Sequence, residues 1–355
     1  MKKLFTVKNK QDNKKESFNM SKCIPEIETQ KNFNPLKAYD DRVRNILSLE
    51  ENGKIVGEII EGHGTPLKIL KNHFNCDSKQ LVILVHGSGL NEFSWVPVLE
   101  PLEKEGINAL TFAWRGHSKS IPFNKEELSK AGMGLMDFVK DAEAVIEKYQ
   151  KDLNINSKQI LLVGHSYGTI INTFLARSKN YKAILNFCAA YPNVEYFKER
   201  GVNIDNRKEL TESMSKLWGF SSQEWIKKTL DDANKNKVFE NYKEMGTQDW
   251  YLSQLLNIEI PINYNGILKM ILGPSSRKAA AEALLTPPFL PKRTEINAPM
   301  HFFAATEDRL VPKDTIEQLS KTWNCSSYNE LLGPHAGTYS PHLKQYIDAI
   351  FEYIS

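Results

Sequence analysis

The stretch Gln159–Ile170, QILLVGHSYGTI, joins two apolar segments through a short glycine-containing run. Its first half has the length and composition of a buried strand, and the residues from Thr169 onward follow the three-to-four spacing of a helix. Between them lies the G-x-S-x-G sequence of residues 164–168, GHSYG. A sharp strand-to-helix turn of this kind strains the central residue and pushes its hydroxyl outward. Ser166 is therefore a candidate nucleophile, the alternative being an ordinary hydroxyl in a tight turn.

A serine hydroxyl is a poor nucleophile unless a base removes its proton and a carboxylate orients that base. His335, in LLGPHAGTY, follows the last predicted strand and precedes the last predicted helix, so we expect it to be the base. Two carboxylates, Glu307 and Asp308, follow the preceding strand. A short aspartate side chain is easily fixed by backbone N–H groups in a turn, which favours Asp308 as the orienting acid.

The remaining histidines are weaker candidates for the base. His165 adjoins Ser166, and in a sharp elbow we expect its side chain to point away from the hydroxyl. His301 lies inside an apolar strand, where a satisfied core histidine is the simpler interpretation. His342 falls on the final helix, and His63 and His73 belong to an early edge region.

An oxyanion intermediate needs hydrogen-bond donors that are in place before the reaction. The N–H of Tyr167, directly after the candidate nucleophile, is the first we expect to serve. The second is the N–H of Ser88, with Gly89 as the alternative, in the glycine-containing loop after QLVILV. This loop could instead be a plain strand-to-helix turn, and it lacks the Gly-x-x-x-x-Gly-Lys-Ser/Thr pattern of a phosphate cradle.

Apolar segments and helical segments alternate along most of the chain. Strands are predicted over residues 54–61, 66–74, 80–87, 107–114, 159–164, 182–190, 299–306 and 325–332, the first two as a hairpin or as edge strands. Helices are predicted over 135–150, 169–178, 313–322 and 341–354. Continuous apolar strands joined by helices are typical of an α/β fold with a mainly parallel central sheet and helices on both faces.

The predicted domain organisation follows from where this alternation stops. Residues 1–48 are polar and predicted to be a mobile extension, residues 49–192 and 293–355 form the α/β core, and residues 193–292 contain helical pieces without a convincing strand. An insertion at the carboxyl ends of parallel strands is expected to be a helical cap over the ligand crevice. Its aromatic residues are more often packing than ligand contacts, yet three of them could bind an apolar substrate: Trp218, Trp225 and Trp250.

Charge and composition limit the partners. Residues 1–22 contain seven lysines against Asp12 and Glu16, whereas the whole chain has a formal net charge of only +3, which argues against a nucleic-acid-binding face. The basic segment could still rest on an acidic membrane surface or a partner.

The four cysteines are far apart and form no metal-ligand pattern, which indicates free thiols in a reducing compartment. Without an apolar run of about 18 residues, we expect a soluble, cytoplasmic protein with no stable membrane insertion. Its oligomeric state stays open.

Four segments in this order resemble the α/β-hydrolase family, over about residues 50–355: HGSGLNEFSW, RGHSKS, GHSYG, and the pair EDRLVP and GPHAG. The order serine, acid, histidine is also the one expected for that fold. The resemblance extends to its capped serine aminopeptidase and monoacylglycerol-lipase-like group, with no subfamily assigned.

The chain departs from the family pattern at two motifs. Where the family has Asp-x-Arg-Gly-His-Gly-x-Ser, this chain has Ala113 and Ser118 in place of the Asp and the second Gly, in a mainly structural segment. Tyr167 and Thr169 also depart from the Gly-His-Ser-Met-Gly-Gly form.

The resemblance implies a hydrolase that uses a Ser-His-Asp triad, forms an acyl-enzyme and needs no metal or organic cofactor. The leading hypothesis is cleavage of a small or medium acyl substrate, most simply a carboxylic ester. The same triad could hydrolyse an amide, a thioester or a C–C bond, or transfer an acyl group. A third possibility is a ligand-sensing receptor of the same fold with slow turnover.

Overall fold

The central sheet has eight strands in the order β1-β2-β4-β3-β5-β6-β7-β8. In the computed structural model they span Val56–Glu61, Pro66–Lys71, Leu81–Val85, Asn108–Phe112, Ile160–His165, Ala183–Phe187, Met300–Ala305 and Ser327–Leu331, for β1 to β8. The pairs β1·β2 and β2·β4 are antiparallel, and every other neighbouring pair is parallel. All eight predicted strands and the mainly parallel sheet are confirmed.

Six α-helices are found in the part of the chain that the structure describes. They are α1 Pro35–Glu51, α2 Val96–Lys104, α3 Leu135–Leu153, α4 Tyr167–Ser178, α5 Lys313–Thr322 and α6 Leu343–Ile354. Two short 3-10 turns, Glu92–Trp95 and Gly337–Tyr339, follow β3 and β8. The four predicted crossover helices correspond to α3 through α6.

The structure describes residues 35–88, 90–118, 120, 135–190, 201, 203, 206, 209, 293–323 and 325–354. Residues 1–34, most of the predicted cap and its Trp218, Trp225 and Trp250 lie outside these ranges, as does Gly89. None of the helices in these ranges combines the length and apolarity needed to cross a membrane.

The core lies on both faces of the parallel part of the sheet. Every residue of β3, β4, β5, β6 and β7 is buried, as expected for strands that carry apolar side chains toward helices on either side. The last strand, β8, is an edge strand and only its final residue is fully buried. The interior of the sheet is therefore mostly apolar, with Thr111, Asn186 and His301 as polar residues buried within strands β4, β6 and β7.

Helix α1, Pro35–Glu51, overlaps the segment 1–48 that the sequence predicts to be a polar, mobile extension. Its sequence is polar on average, but Leu36, Val43 and Ile46 are buried. Glu50 near its end forms an ion pair with Lys68 of β2. Leu36, Tyr39, Val43, Ile46 and Leu47 recur at the three-to-four spacing of an amphipathic helix, and Tyr39 and Leu47 pack against the core. This periodicity is present in the sequence, but it lies in a segment that is polar on average, and the average composition conceals it.

Candidate active site

The register of the sheet brings the predicted site loops to one edge. Val85 at the end of β3 lies beside Gly164 of β5. His165 at the end of β5 lies beside Phe187 of β6, which in turn lies beside Phe303 of β7. The loops after β3, β5, β7 and β8 therefore all leave the sheet at its carboxyl edge, where parallel sheets form their ligand crevices.

Ser166 forms the turn between β5 and α4. Its φ of 51° and ψ of −120° place a non-glycine residue in a left-handed, strained conformation. The turn is this tight because α4 lies directly on the sheet: a Cβ on Gly168 would be 2.5 Å from the carbonyl oxygen of Val85, and one on Gly164 would be 2.8 Å from the backbone nitrogen of Thr169. The two glycines of the G-x-S-x-G sequence are thus required by close backbone approach.

Asp308 and His335 form a buried pair. The Nδ1 of His335 lies 2.6 Å from Oδ2 of Asp308, and the two side chains are 1% and 0% exposed. The other carboxylate oxygen, Oδ1, accepts hydrogen bonds from the N–H groups of Leu310 and Val311, at 2.8 Å each. Since a carboxylate only accepts, Nδ1 carries the hydrogen and Nε2 keeps a lone pair. The imidazole is thereby oriented as a proton acceptor. Glu307, the adjacent carboxylate, is exposed.

His165 lies against the backbone of His335. Its Nε2 donates to the carbonyl oxygen of His335 at 2.7 Å, and the two rings meet edge to face with centroids 4.8 Å apart. Burial, and to a lesser degree the charge of His335, lowers the pKa of His165 to about 3. A group that stays neutral over the whole working range and donates to a carbonyl is unsuited to be the base. Sequence reasoning missed this contact, because nothing local to His165 indicates which distant loop it will meet.

Cys188 is a second residue that the sequence did not indicate for the site. It follows β6 with a φ of 49°, and its Sγ is 3.8 Å from the hydroxyl of Tyr346 on α6. Burial, followed by the negative charge of Asp308, raises the pKa of the thiol well above its ordinary value. The sulfur is therefore a protonated, uncharged neighbour of the acid.

The candidate oxyanion donors lie on two of the converging loops. Tyr167 is the first residue of α4, and its side chain is buried. Ser88 is partly buried in the turn after β3. The loop that carries Ser88 starts at His86, a buried histidine stacked on Trp114 at 3.8 Å between ring centroids. Burial lowers the pKa of His86 well below its ordinary value, so the ring at the start of the loop is uncharged.

Within the described residues, one group of side chains could approach a metal ion. Donor atoms of His165, Cys188 and His335 lie within 4.8 Å of one another. However, Nε2 of His165 is hydrogen bonded to a carbonyl and Nδ1 of His335 to Asp308, and the thiol is kept protonated. These hydrogen bonds leave the lone pairs on Nδ1 of His165 and Nε2 of His335 available, but metal ligation by this group also requires a thiolate, and the thiol of Cys188 is protonated.

The other histidines are occupied elsewhere. His301, on β7, has its Nδ1 2.9 Å from the hydroxyl of Ser327, and burial lowers its pKa to about 4. His73 is exposed and its Nδ1 lies 3.1 Å from a carboxylate oxygen of Glu103. His342 contacts Gln345 on the last helix. Among the described histidines with such contacts, only His335 meets a buried carboxylate.

Comparison with solved structures shows the same fold in enzymes of low identity. An epoxide hydrolase, VrEH1 from Vigna radiata, is similar with a TM-score of 0.58 and 16% identity, over 85% of this chain and 98% of that one. A thioesterase domain from the curacin biosynthetic pathway gives 0.54 and 15%, over 84% and 99%. A thermophilic esterase from Thermogutta terrifontis gives 0.51 and 16%, over 84% and 97%. No curated protein sequence matches the chain.

A family model described as the alpha/beta hydrolase family matches residues 82–345. That range starts at β3 and extends into α6, so it includes the turn at Ser166 and the Asp308–His335 pair. The match covers most of the chain, and with the sheet order and the strand-to-helix turn it shows that the chain belongs to the alpha/beta hydrolase family.

Proposed function

We propose that the protein is a serine hydrolase that cleaves a carboxylic ester of a small or medium acyl group. The observation that carries the proposal is the buried 2.6 Å contact between His335 and Asp308, at the same sheet edge as the strained turn of Ser166. A base oriented by a carboxylate beside a serine in such a turn is the arrangement that activates a hydroxyl.

In the proposed reaction, Oγ of Ser166 attacks the substrate carbonyl while Nε2 of His335 takes the hydroxyl proton. The imidazolium then gives this proton to the leaving alcohol, and an acyl-serine ester remains. A water molecule, deprotonated by the same nitrogen, attacks the acyl-enzyme and releases the acid. Asp308 stays ionised throughout and stabilises the imidazolium.

The negative charge that develops on the carbonyl oxygen needs donors. We assign them to the N–H groups of Tyr167 and Ser88, with Gly89 as the alternative to Ser88. Removing one such donor typically costs about 100-fold to 1000-fold in turnover. The proposal needs no metal or organic cofactor, and it puts the substrate under the predicted cap, where Trp218, Trp225 and Trp250 are candidates to contact it.

The same residues could cleave an amide, a thioester or a C–C bond, or transfer an acyl group. A thioesterase domain and an esterase among the structures of similar fold are consistent with chemistry at an acyl carbonyl. They do not indicate which type of bond this chain cleaves. A receptor that binds a ligand with slow turnover would keep the same pocket.

Labelling with a fluorophosphonate tests the proposal directly, because this probe modifies only an activated serine. We expect stoichiometric modification mapped to Ser166, none in Ser166→Ala, and strongly slowed modification in His335→Ala. A folded protein that is not modified would overturn the hydrolase proposal. Modification without turnover of a panel of esters, thioesters and amides above the Ser166→Ala background would favour the receptor.

A further inference from the structure

Helix α1 is hydrogen bonded to the loop that carries His335 through the side chain of Arg42. One guanidinium nitrogen, Nη1, donates to the carbonyl oxygens of Tyr339 at 2.9 Å and Ser340 at 2.8 Å. The other, Nη2, donates to the carbonyl oxygen of Thr338 at 3.0 Å. Three consecutive carbonyls at the end of a 3-10 turn are thus bound by one planar cation, which is the geometry that an arginine fork suits best.

This loop, residues 335–340, is fixed at three places. At its start, the carbonyl of His335 accepts from His165. In its middle, Gly337 lies so close to Tyr346 that a Cβ would fall within 2.2 Å of the tyrosine hydroxyl. At its end lies Arg42. The first two contacts come from helix and strand ends of the α/β core, whereas the third comes from the helix that precedes the sheet in the chain.

Arg42 is itself held in place. Val43 and Ile46, which follow Arg42 within the next turn of the helix, are buried with 1% and 4% exposure. Further along α1, Glu50 pairs with Lys68 of β2, whose side chain is 6% exposed. The helix is therefore anchored to the sheet independently of the loop, and the guanidinium projects from a fixed support.

We propose that Arg42 is a positioning residue for the reaction, holding the loop 335–340 so that His335 faces the serine. The proposal rests on the hydrolase function proposed above. Arg42 does not touch the reacting atoms; it acts through three carbonyls that follow His335 by three to five residues. Helix α1 then contributes to the candidate active site, although most of it lies in the segment that the sequence predicts to be a polar extension outside the α/β core.

The expected effect follows from the sensitivity of catalysis to position. A shift of about 1 Å in a catalytic group can cost about 100-fold in rate. Without the guanidinium, the carbonyls of Thr338, Tyr339 and Ser340 would lose these donors, and we expect the loop to adopt a different conformation. A lysine at this position keeps the charge but offers a compact ammonium that cannot span three carbonyls, so it should restore only part of the rate.

The test compares Arg42→Ala and Arg42→Lys with Arg44→Ala, which removes the same charge from an exposed position of the same helix. A second control, Val43→Ala, weakens the packing of α1 without removing the guanidinium. The readouts are kcat and KM on an activated ester, the rate of fluorophosphonate modification of Ser166, and the midpoint of thermal unfolding.

We expect Arg42→Ala to lower kcat and the modification rate by about 100-fold with little change in KM. Arg42→Lys should lie in between, and Arg44→Ala should match the wild type. Val43→Ala should unfold at a lower temperature yet keep its kcat below that temperature. Free guanidinium, far below denaturing concentrations, should raise the kcat of Arg42→Ala and leave the wild type unchanged.

The positioning role is overturned if wild-type Ser166 is modified normally and the folded Arg42 variants have wild-type kcat, or lose only thermal stability as Val43→Ala does. If Arg42→Ala does not fold, Arg42→Lys decides, and an unchanged kcat in that variant has the same meaning. A wild-type protein that is not modified at all contradicts the hydrolase proposal instead, so the two failures are distinguishable.

Discussion

At the scale of single residues, Ser166 shows backbone strain at the point where the proposed chemistry occurs. Its φ of 51° is unfavourable for any residue with a Cβ, and such strain costs about 1–3 kcal/mol. Glycine adopts this conformation freely but also gains freedom in the unfolded chain. We expect Ser166→Gly to exceed Ser166→Ala in free energy of unfolding by about 1 kcal/mol, as measured by urea denaturation.

Alanine is the matched control in this experiment, because both substitutions remove the hydroxyl and only one removes the Cβ. Both variants should also lose fluorophosphonate modification. Equal stabilities for the two would mean that the turn is not strained at residue 166.

Glu92 is a buried carboxyl next to the loop that follows β3. Its Oε1 accepts from the hydroxyl of Ser118 at 2.6 Å, and no partner for Oε2 is found within the described part of the chain. Burial raises the pKa of Glu92 from 4.5 to about 7, although the Ser118 hydrogen bond partly opposes the shift. The carboxyl is therefore protonated in the folded protein at pH values where it ionises in the unfolded chain.

The sign of the pH effect follows from that difference. Between pH 4.5 and about 7 the folded state holds a proton that the unfolded state has released, so raising the pH through this range favours unfolding. The shift corresponds to at most about 3 kcal/mol. We expect Glu92→Gln to gain stability over wild type at about pH 8 and little at about pH 4, measured by urea denaturation.

Glu61→Gln, at an exposed position of β1, is the control and should follow the wild-type pH dependence. If Glu92→Gln also follows it, the proposed protonation of Glu92 in the folded state is wrong.

At the scale of secondary-structure elements, the loop after β4 is joined to α3 by a buried ion pair. The guanidinium and backbone N–H of Arg115 bond both carboxylate oxygens of Asp141 at 2.6–3.1 Å, and the two side chains are 5% and 0% exposed. Where the α/β-hydrolase motif Asp-x-Arg-Gly-His-Gly-x-Ser begins with Asp, this chain has Ala113. The carboxylate that meets the loop comes instead from a helix 26 residues further along.

Removing this carboxylate would leave the buried guanidinium with the carbonyl oxygen of His63 and the more distant carboxylate of Asp137, and without the buried carboxylate that it bonds. We expect Asp141→Ala to cost about 3–5 kcal/mol of unfolding free energy. Asp137→Ala is the control: its side chain is 29% exposed and its oxygen is 4.0 Å from Nη1 of Arg115, so its loss should cost about 1 kcal/mol or less. Similar losses in both variants, by chemical denaturation, would contradict the assignment.

Some elements can be predicted from their own residues, whereas others depend on contacts with distant parts of the chain. The strands β3 to β7 are mostly apolar runs bounded by turns, so their positions can be predicted from composition and turn residues. Helix α1 cannot, because its apolar residues, although at helical spacing, lie in a segment whose composition is polar on average. The same holds within the site: Asp308 is predicted from its turn, whereas the contacts of His165 and Cys188 depend on which loops the fold brings together.

At the scale of the whole molecule, the three described cysteines are free thiols in very different surroundings. Cys76 is exposed, Cys325 is partly buried with a pKa raised to about 12 by burial, and Cys188 is fully buried with its pKa raised by burial well above the ordinary value. Only the thiolate reacts with alkylating agents. We expect iodoacetamide to modify Cys76 rapidly and Cys325 slowly, and to reach Cys188 only when the molecule unfolds.

Peptide mapping by mass spectrometry at increasing urea concentrations measures this order. The modification of Cys188 should coincide with the global unfolding transition. Modification of Cys188 in the native protein at a rate near that of Cys76 would show that the interior behind Asp308 opens readily, contrary to its burial.

The position of β5 in the sheet has a consequence for how the molecule opens. β5 is paired on both sides, with β3 and β6, and all its residues are buried, whereas β8 has one neighbour and is half open to solvent. Amide hydrogens of β5 should therefore exchange with solvent last and those of β8 early. The serine follows a buried central strand, and its proposed base follows a strand at the edge of the sheet. A sub-global opening at the β8 edge could thus separate base from nucleophile, and silence the enzyme in mild denaturant, while the centre of the sheet is still intact.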